Sequence, residues 1–252
     1  MTTLVVGANG ATGKLLVEQL LNRGQAVKMI VRTTDSLPGS IKNNKNVSII
    51  QASILDIEDD EMARHVKGCD AVASCLGHNI SFKGIYGKPR RLVTDATRKL
   101  CRAIRANDPG APVKFVLMNT SGNSNRDLSE KISFGQQCII RLLRLLLPPH
   151  VDNEQAADFL RTEIGQDDKT IEWAAVRPDG LTDEREVTEY EIYPSPIRSA
   201  LFDAGKVSRI NVASFMAGLM TDQELCMQWK GQMPVIYSRV QGKAKAGERI
   251  TV

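Results

Sequence analysis

The sequence predicts an α/β fold built on a doubly wound parallel sheet, and three observations predict it. Short apolar runs alternate along the chain with longer stretches of helical period. Those runs are apolar almost throughout, not at every second position, as expected of strands covered by helices on both faces. The first run leads into a glycine-spaced turn, Gly7-Ala8-Asn9-Gly10-Ala11-Thr12-Gly13, which opens the first helix. Repeated β-α-β order with right-handed crossovers then gives a parallel sheet.

Taken in order, the strands fall at 3–7 (TLVVG), 26–31 (AVKMIV), 47–51 (VSIIQ), 70–75 (DAVASC), 113–119 (VKFVLMN) and 171–176 (IEWAAV). Helices are predicted between them at 12–23, 58–67, 90–106, 132–146 and 152–164. In the third of these, Leu92, Ala96, Leu100, Ala103 and Ile104 share one face, while Arg98, Lys99, Arg102 and Arg105 lie mostly elsewhere. Pro89 stands near its start, and Asn107-Asp108-Pro109-Gly110 stops it. After Val176 turn formers and aromatics accumulate (Pro178, Gly180, Tyr190, Tyr193, Pro194, Pro196, Phe202), so 178–206 reads as a small irregular C-terminal substrate cap. A short strand at 207–210, a helix opening at Asn211 and a last strand at 233–237 follow. The basic, glycine-bearing tail Gln241–Val252 is expected to be mobile. No repeat or Ser/Gly linker interrupts residues 1–252, which predicts a single domain.

Composition narrows the function classes. With 252 residues, 42% hydrophobic and 25% charged, the chain is neither disordered nor low in complexity. A net charge of +4 is too small to mark a nucleic-acid binder. Apolar stretches fall far short of the roughly 18 residues that span a bilayer. Thr3-Leu4-Val5-Val6-Gly7 already reads as a strand, so a basic-then-apolar leader is not expected there. The five cysteines (Cys69, Cys75, Cys101, Cys138, Cys226) are odd in number and form no CxxC pair. Disulfides and thiolate zinc are therefore not expected, and a reducing cytoplasm is. Three scattered histidines without a pattern of partner carboxylates make no metal site.

The glycine loop carries the first functional reading. Its spacing is GxxGxxG, placed after a strand and before a helix at the start of a βαβ unit. Glycines allow a tight turn and let backbone approach a pyrophosphate, while the helix N-terminus offers unpaired N–H groups and a positive dipole end. Gly7, Asn9, Gly10, Ala11, Thr12 and Gly13 are the cofactor-binding candidates here. Arg32 follows 19 residues beyond Gly13, at the end of the second strand. An acidic residue there holds the ribose 2′-hydroxyl of NAD, whereas an arginine accommodates the 2′-phosphate of NADP. Thr33 adds a hydroxyl beside it, and Asp35 stands close enough to leave NAD open as the alternative.

These residues make the chain resemble the atypical short-chain dehydrogenase/reductases, in the Rossmann-type NAD(P)-binding branch with NmrA-like proteins and biliverdin/flavin reductases. Further matches are Val31-Arg32, Ala52-Ser53-Ile54-Leu55-Asp56, Cys75-Leu76-Gly77, Thr120-Ser121-Gly122 and Val176-Arg177-Pro178-Asp179-Gly180-Leu181, in the family's order. The resemblance implies Ser53 and Ile54 near the adenine, Leu76 and Gly77 near the adenosine ribose or pyrophosphate, and Arg177-Pro178 bordering the nicotinamide. The family's usual Gly-Asp is Ala52-Ser53 here. Its catalytic Tyr-xxx-Lys is missing. One register puts Phe134 and Cys138 in those places, another His150 or its neighbour with Asn153 or Glu154. Ser121 at a strand end and His150 are left as catalytic candidates, with His78 a further possible proton donor.

Two other features stand out. Residues 83–105 hold eight Lys or Arg against one Asp, a strip suited to an anionic substrate or to cofactor phosphates, or simply a solvated helix face. The run Ile139–Leu147 is read as a sheet-covering helix, with a dimer face or a membrane-surface helix as alternatives. The function expected is an NADPH-dependent reductase of a small carbonyl, quinone, flavin or tetrapyrrole-like substrate, acting as monomer or homodimer. The alternative is a non-catalytic NADP-sensing regulator or scaffold of NmrA-like type.

Overall fold

Leu4, Val5 and Val6 have no solvent exposure, which roofs the first apolar run on both faces and puts it in the middle of a sheet. It forms β1 (Thr2–Val6). A computed structural model of the chain describes residues 1–78, 81–130, 134–239 and 250–251. From β1 the chain continues through α1 (Ala11–Asn22), β2 (Ala26–Val31), α2 (Gly39–Lys42), β3 (Val47–Gln51), α3 (Asp59–Val66) and β4 (Ala71–Ser74). Next come α4 (Phe82–Tyr86), α5 (Leu92–Ala106), β5 (Val113–Met118), α6 (Phe134–Leu146), α7 (Pro148–Phe159) and β6 (Ile171–Pro178). The remainder holds β7 (Gly180–Thr182), β8 (Tyr190–Tyr193), β9 (Lys206–Ser208), α8 (Arg209–Thr221), α9 (Gln223–Trp229), β10 (Val235–Ser238) and β11 (Ile250–Thr251).

Among the described residues the main sheet runs β11-β8-β10-β6-β5-β4-β1-β2-β3. The strands from β3 across to β10 are parallel, while β8 and β11 pair antiparallel at the far edge. This is a Rossmann-like sheet. Its strand order reverses between β1 and β4, and a crevice opens there beyond the carboxyl ends of the strands. Leu16, Val17 and Leu20 of α1 pack with Phe215, Met216 and Trp229 on one face. Met62, Leu100, Ile104, Ala156 and Phe159, from α3, α5 and α7, cover the other.

The crevice exists because two glycines bring backbone against backbone. Gly7 has φ +76°, and a Cβ on it would lie 2.5 Å from the Cys75 carbonyl. A Cβ on Gly13 would overlap the Gly7 carbonyl oxygen, so α1 could not seat so close to β1. Any other residue at either place pushes the loop off the sheet.

A second device ties the far side of the crevice together. The N-cap position of α5, Arg91, makes no side-chain cap bond. The buried Asp152 of α7 serves instead, accepting from Val93 N–H at 2.8 Å and Thr94 N–H at 2.9 Å. A carboxylate here also suits the positive end of the helix dipole. His78 Nε2 lies 2.7 Å from the same carboxylate, and its Nδ1 lies 3.2 Å from the Gly84 carbonyl. Both facing groups only accept, so both contacts are hydrogen bonds when each ring nitrogen carries a hydrogen.

Several expectations change. α7 begins at Pro148, not at 152, because prolines suit the first turn of a helix. It ends in a π-helical turn, Leu160–Ile164. α8 opens at Arg209, with Ser208 as N-cap accepting from Asn211 N–H at 3.2 Å. The 178–206 segment is less irregular than expected, since β7 and β8 lie in it and β8 joins the main sheet. α6 does not cover the sheet: it rests on α7, and Leu142, Leu145 and Leu146 are exposed. Of the tail expected to be mobile, 241–249 and 252 lie outside the described residues, and Ile250–Thr251 pair with β8.

Removing the shared cap should be costly. Asp152→Ala strands two amides and a ring nitrogen in a buried place and should lower the unfolding free energy by about 2–4 kcal/mol. Urea denaturation measures this, and a loss under about 1 kcal/mol would mean that water replaces the carboxylate.

Candidate functional site

The crevice is a cavity of about 930 Å³ at the carboxyl ends of β1, β2 and β4. Gly7, Asn9, Gly10, Ala11, Thr12 and Gly13 form its floor. Gly10, the residue before α1, makes no side-chain cap bond, so the first N–H groups of the helix have no cap from it. Gly10 differs from its two neighbours in the motif. It is exposed, has φ −71°, and a Cβ would meet the Gly7 oxygen at 3.2 Å and the Cys75 carbonyl oxygen at 4.0 Å. Backbone conformation does not demand glycine there, and packing demands it only weakly. A Cβ at Gly10 would instead narrow the approach to the helix N-terminus, the place where a dinucleotide's pyrophosphate is favoured.

Arg32 and Thr33 line one end of the cavity together with Ser36, which the sequence reading did not single out. Arg32 is exposed and makes no ion pair among the described residues, so its guanidinium is available to a ligand. Asp35 is engaged elsewhere: its carboxylate accepts from Thr33 Oγ1 at 2.7 Å. Asn9 Nδ2 donates to the Thr33 carbonyl at 2.5 Å, fastening the glycine loop to the end of β2. Ser53, Ile54, Leu76 and Gly77 also line the cavity. Ile54 is nearly buried and packs into the core beneath it.

The other end of the cavity is formed by His78, Lys88, Pro89, Leu92, Met118, Asn119 and Asn153, with Leu181 and Arg209 also on its wall. Asn119 and Asn153 were not anticipated as a pair. Asn119 Nδ2 donates to the Asn153 carbonyl at 3.0 Å, while its Oδ1 accepts from Thr120 N–H at 2.8 Å and from Asn123 Nδ2 at 2.5 Å. This long-range amide network joins the end of β5 to α7, and nothing in the local sequence announces it. Arg209 is paired with Asp183 at 2.8 Å.

Ser121, His150 and Pro178 are not among the residues lining the cavity. Ser121 is nearly buried, and its N–H donates to the Pro178 carbonyl at 2.9 Å. His150 stands behind the same loop, its Cε1 3.8 Å from where a Cβ on Gly122 would be. Burial holds its imidazole below the ordinary range, although Glu154 at 3.6 Å pulls the other way. The ring is therefore neutral near pH 7. Glu154 is itself held by Arg144 through two bonds of 2.8 Å. Arg177 has no solvent exposure and reaches away from the cavity. It donates from Nε to the Met233 carbonyl (2.6 Å), from Nη1 to the Asn123 carbonyl (2.9 Å), and from Nη2 to Glu130 (2.8 Å) and the Pro194 carbonyl (3.0 Å). Cys75 lines the cavity, but burial pushes its thiol up to about 12, which leaves no thiolate for nucleophilic work.

Comparison with known proteins agrees with this fold. A family model for NAD(P)H-binding proteins matches residues 7–223. An uncharacterized chloroplastic protein of Arabidopsis thaliana is 44% identical over 55 residues, which is 22% of this chain and only 20% of that protein's length. Among solved structures, the oxidoreductase ylbE of Lactococcus lactis superposes with a TM-score of 0.65 at 20% identity, over 95% of this chain and 91% of that one. A short-chain dehydrogenase/reductase of Veillonella parvula, solved in complex with NADP, gives 0.65 at 15% identity over 94% of each chain. ChuY, an anaerobillin reductase of Escherichia coli O157:H7, gives 0.65 at 16% identity over 98% of this chain and 100% of its own. At such identities the likeness is one of fold. No helix among the described residues is long and apolar enough to cross a membrane.

Gly10→Val should leave much of the fold intact while abolishing dinucleotide binding, because its side chain enters the pyrophosphate's path. Calorimetric titration of the folded variant with NADPH checks this, and an affinity equal to wild type removes the loop from the binding site. Thiol labelling at neutral pH should mark the exposed Cys138 and spare Cys75 and Cys101 until the protein is denatured. Rapid labelling of Cys75, read by peptide mass spectrometry, would reinstate it as a reactive group.

Proposed function

Because this chain belongs to the NAD(P)H-binding family, we propose that it is an NADPH-dependent reductase passing hydride to a small carbonyl, quinone, flavin or tetrapyrrole-like acceptor. The observation that carries this reading is the unpaired Arg32 beside Thr33 and Ser36, at the end of a cavity floored by a glycine loop and a helix N-terminus. An arginine in that place accommodates the 2′-phosphate. Asp35, the residue that would have favoured NAD, is occupied by Thr33.

The bound dinucleotide would supply the hydride, and the chain's own residues would bind and orient. Gly7, Asn9, Gly10, Ala11, Thr12 and Gly13 would hold the pyrophosphate, Ser53 and Ile54 would border the adenine, and Leu76 and Gly77 the adjoining ribose. Asn119 and Asn153 stand where a nicotinamide and its acceptor would meet. Ser121, His150 and Pro178 would act from behind this layer, on the 119–123 loop. His150 is neutral and does not reach the cavity, while both nitrogens of His78 are taken up by Asp152 and Gly84. With neither His78 nor His150 free to aim a proton at the acceptor, a substrate that takes its proton from water suits the site better than a simple ketone. The 178–206 segment, through Leu181, would shape the acceptor end of one cofactor-binding domain. All five cysteines are free, which fits a reducing compartment such as the cytoplasm.

The missing Tyr-xxx-Lys pair favours a second reading, an NADP-sensing protein without turnover. Stoichiometric NADPH binding with no oxidation across a broad panel of acceptors would select it.

Cofactor preference gives a sharper test. A charge-assisted hydrogen bond contributes about 1.5–3 kcal/mol. Arg32→Ala should therefore weaken NADPH by about one to two orders of magnitude and leave NADH nearly unchanged. Added salt should narrow the wild-type preference, because the contact is exposed. Titrating both cofactors into both proteins decides the matter, and equal loss of the two would show damage to the loop in place of a lost phosphate contact.

A further inference from the structure

Among the described residues, the most exposed large apolar side chains include a cluster around α4 and α6. Phe82 is 81% exposed and Leu145 79%, and Tyr86, Leu142, Leu146 and Phe202 are exposed with them. These residues are connected in space. The Phe82 and Tyr86 rings lie 5.0 Å apart, Tyr86 OH donates to the Leu146 carbonyl at 3.1 Å, and the Phe202 ring lies 3.9 Å from where a Cβ on Gly135 would be. The face thus runs from α4 along the whole of α6, a length of about 20 Å. An exposed apolar surface of that extent is uncommon on a protein with nothing to bind.

Charge says what it faces. Segments 81–92 and 134–147 together hold six Lys or Arg and no Asp or Glu. Arg144 is neutralised by Glu154 and Arg91 is weakly paired with Asp95 at 3.8 Å, but Lys88, Arg90 and Arg141 are exposed and have no acidic partner among the described residues. Arg141 lies on the same outward stripe of α6 as Leu142 and Leu145. A helix that presents leucines and arginines outward, beside exposed aromatic rings, suits the boundary between headgroups and acyl chains of an anionic membrane. A second copy of this face would not satisfy it, because two-fold pairing sets these cationic segments against each other with no acid in either to answer them.

We propose that α4 and α6 dock this protein on the surface of an anionic lipid bilayer. Lys88, Pro89 and Leu92, which follow α4, line the cavity, as does Asn153 of α7, so the docked face adjoins the acceptor end of the cleft. An apolar acceptor dissolved in the bilayer would then enter without crossing water. Docking does not depend on hydride transfer and goes beyond it.

The test is co-sedimentation with vesicles of phosphatidylcholine mixed with phosphatidylglycerol, against phosphatidylcholine alone. Wild type should pellet with the anionic vesicles, less as salt rises. Leu142→Ser/Leu145→Asp should bind at least about tenfold more weakly, and Arg141→Gln should shift in the same direction by less. Both variants should keep the wild-type affinity for NADPH, since none of the three residues lines the cavity. That control separates failure of docking from failure of the cofactor reading. Absence of vesicle binding by wild type, or equal binding by the double variant, overturns the proposal. So does a wild-type dimer, seen by analytical ultracentrifugation, that the double variant dissociates while neither protein binds vesicles.

Discussion

Gly7 touches the backbone of Cys75 with no room for a single carbon between them, and most of the molecule's architecture follows from that approach. β1 and β4 are neighbours in the sheet, yet the chain leaves them in opposite directions, one through α1 and the other through the segment that carries α4. The left-handed turn at Gly7 lets the departing loop hug the end of β4, and Gly13 then lets α1 settle against that loop. The cavity is the space these two contacts leave beyond the strand ends. A side chain at either glycine would lift α1 and carry Gly10 and the helix N-terminus with it. Arg32 would then face a floor that had moved, because Asn9 ties the loop to the carbonyl of Thr33.

The half of the site beside β1 and β2 was legible in the sequence, and the reason is its locality. A glycine turn, a helix N-terminus and an arginine at the next strand end lie within the first 32 residues and obey backbone rules that a linear pattern carries. The other half of the cavity was not legible. Asn119 meets Asn153 across 34 residues, and His78 meets Asp152 across 74. No periodicity or spacing encodes those meetings. Ser121 and His150 were sensible candidates by position in the chain, yet both stand behind the wall that Asn119 and Asn153 present. α2 and α4 are too short to show a period, and β7 and β8 hide among turn formers.

The misreading of α6 has a different physical origin. Ile139–Leu147 is as apolar as a buried helix, and apolar content alone says only that a face is covered, not by what. In the folded chain the sheet face beside α6 is already occupied by α5 and α7, so α6 is displaced outward and keeps its leucines in the open. Pattern and fold disagree here because the pattern reports an apolar helix, not whether a sheet face is left for it to cover.

Arg177 binds segments that are far apart in the chain into one unit. Its buried guanidinium is held by carbonyls from 123, 194 and 233 and by the carboxylate of Glu130. An uncompensated cation in that interior would be far costlier than any one of the bonds. These four segments therefore cannot fray one at a time. They stay closed or release together as one cooperative unit, with a single threshold shared by loops far apart in the chain.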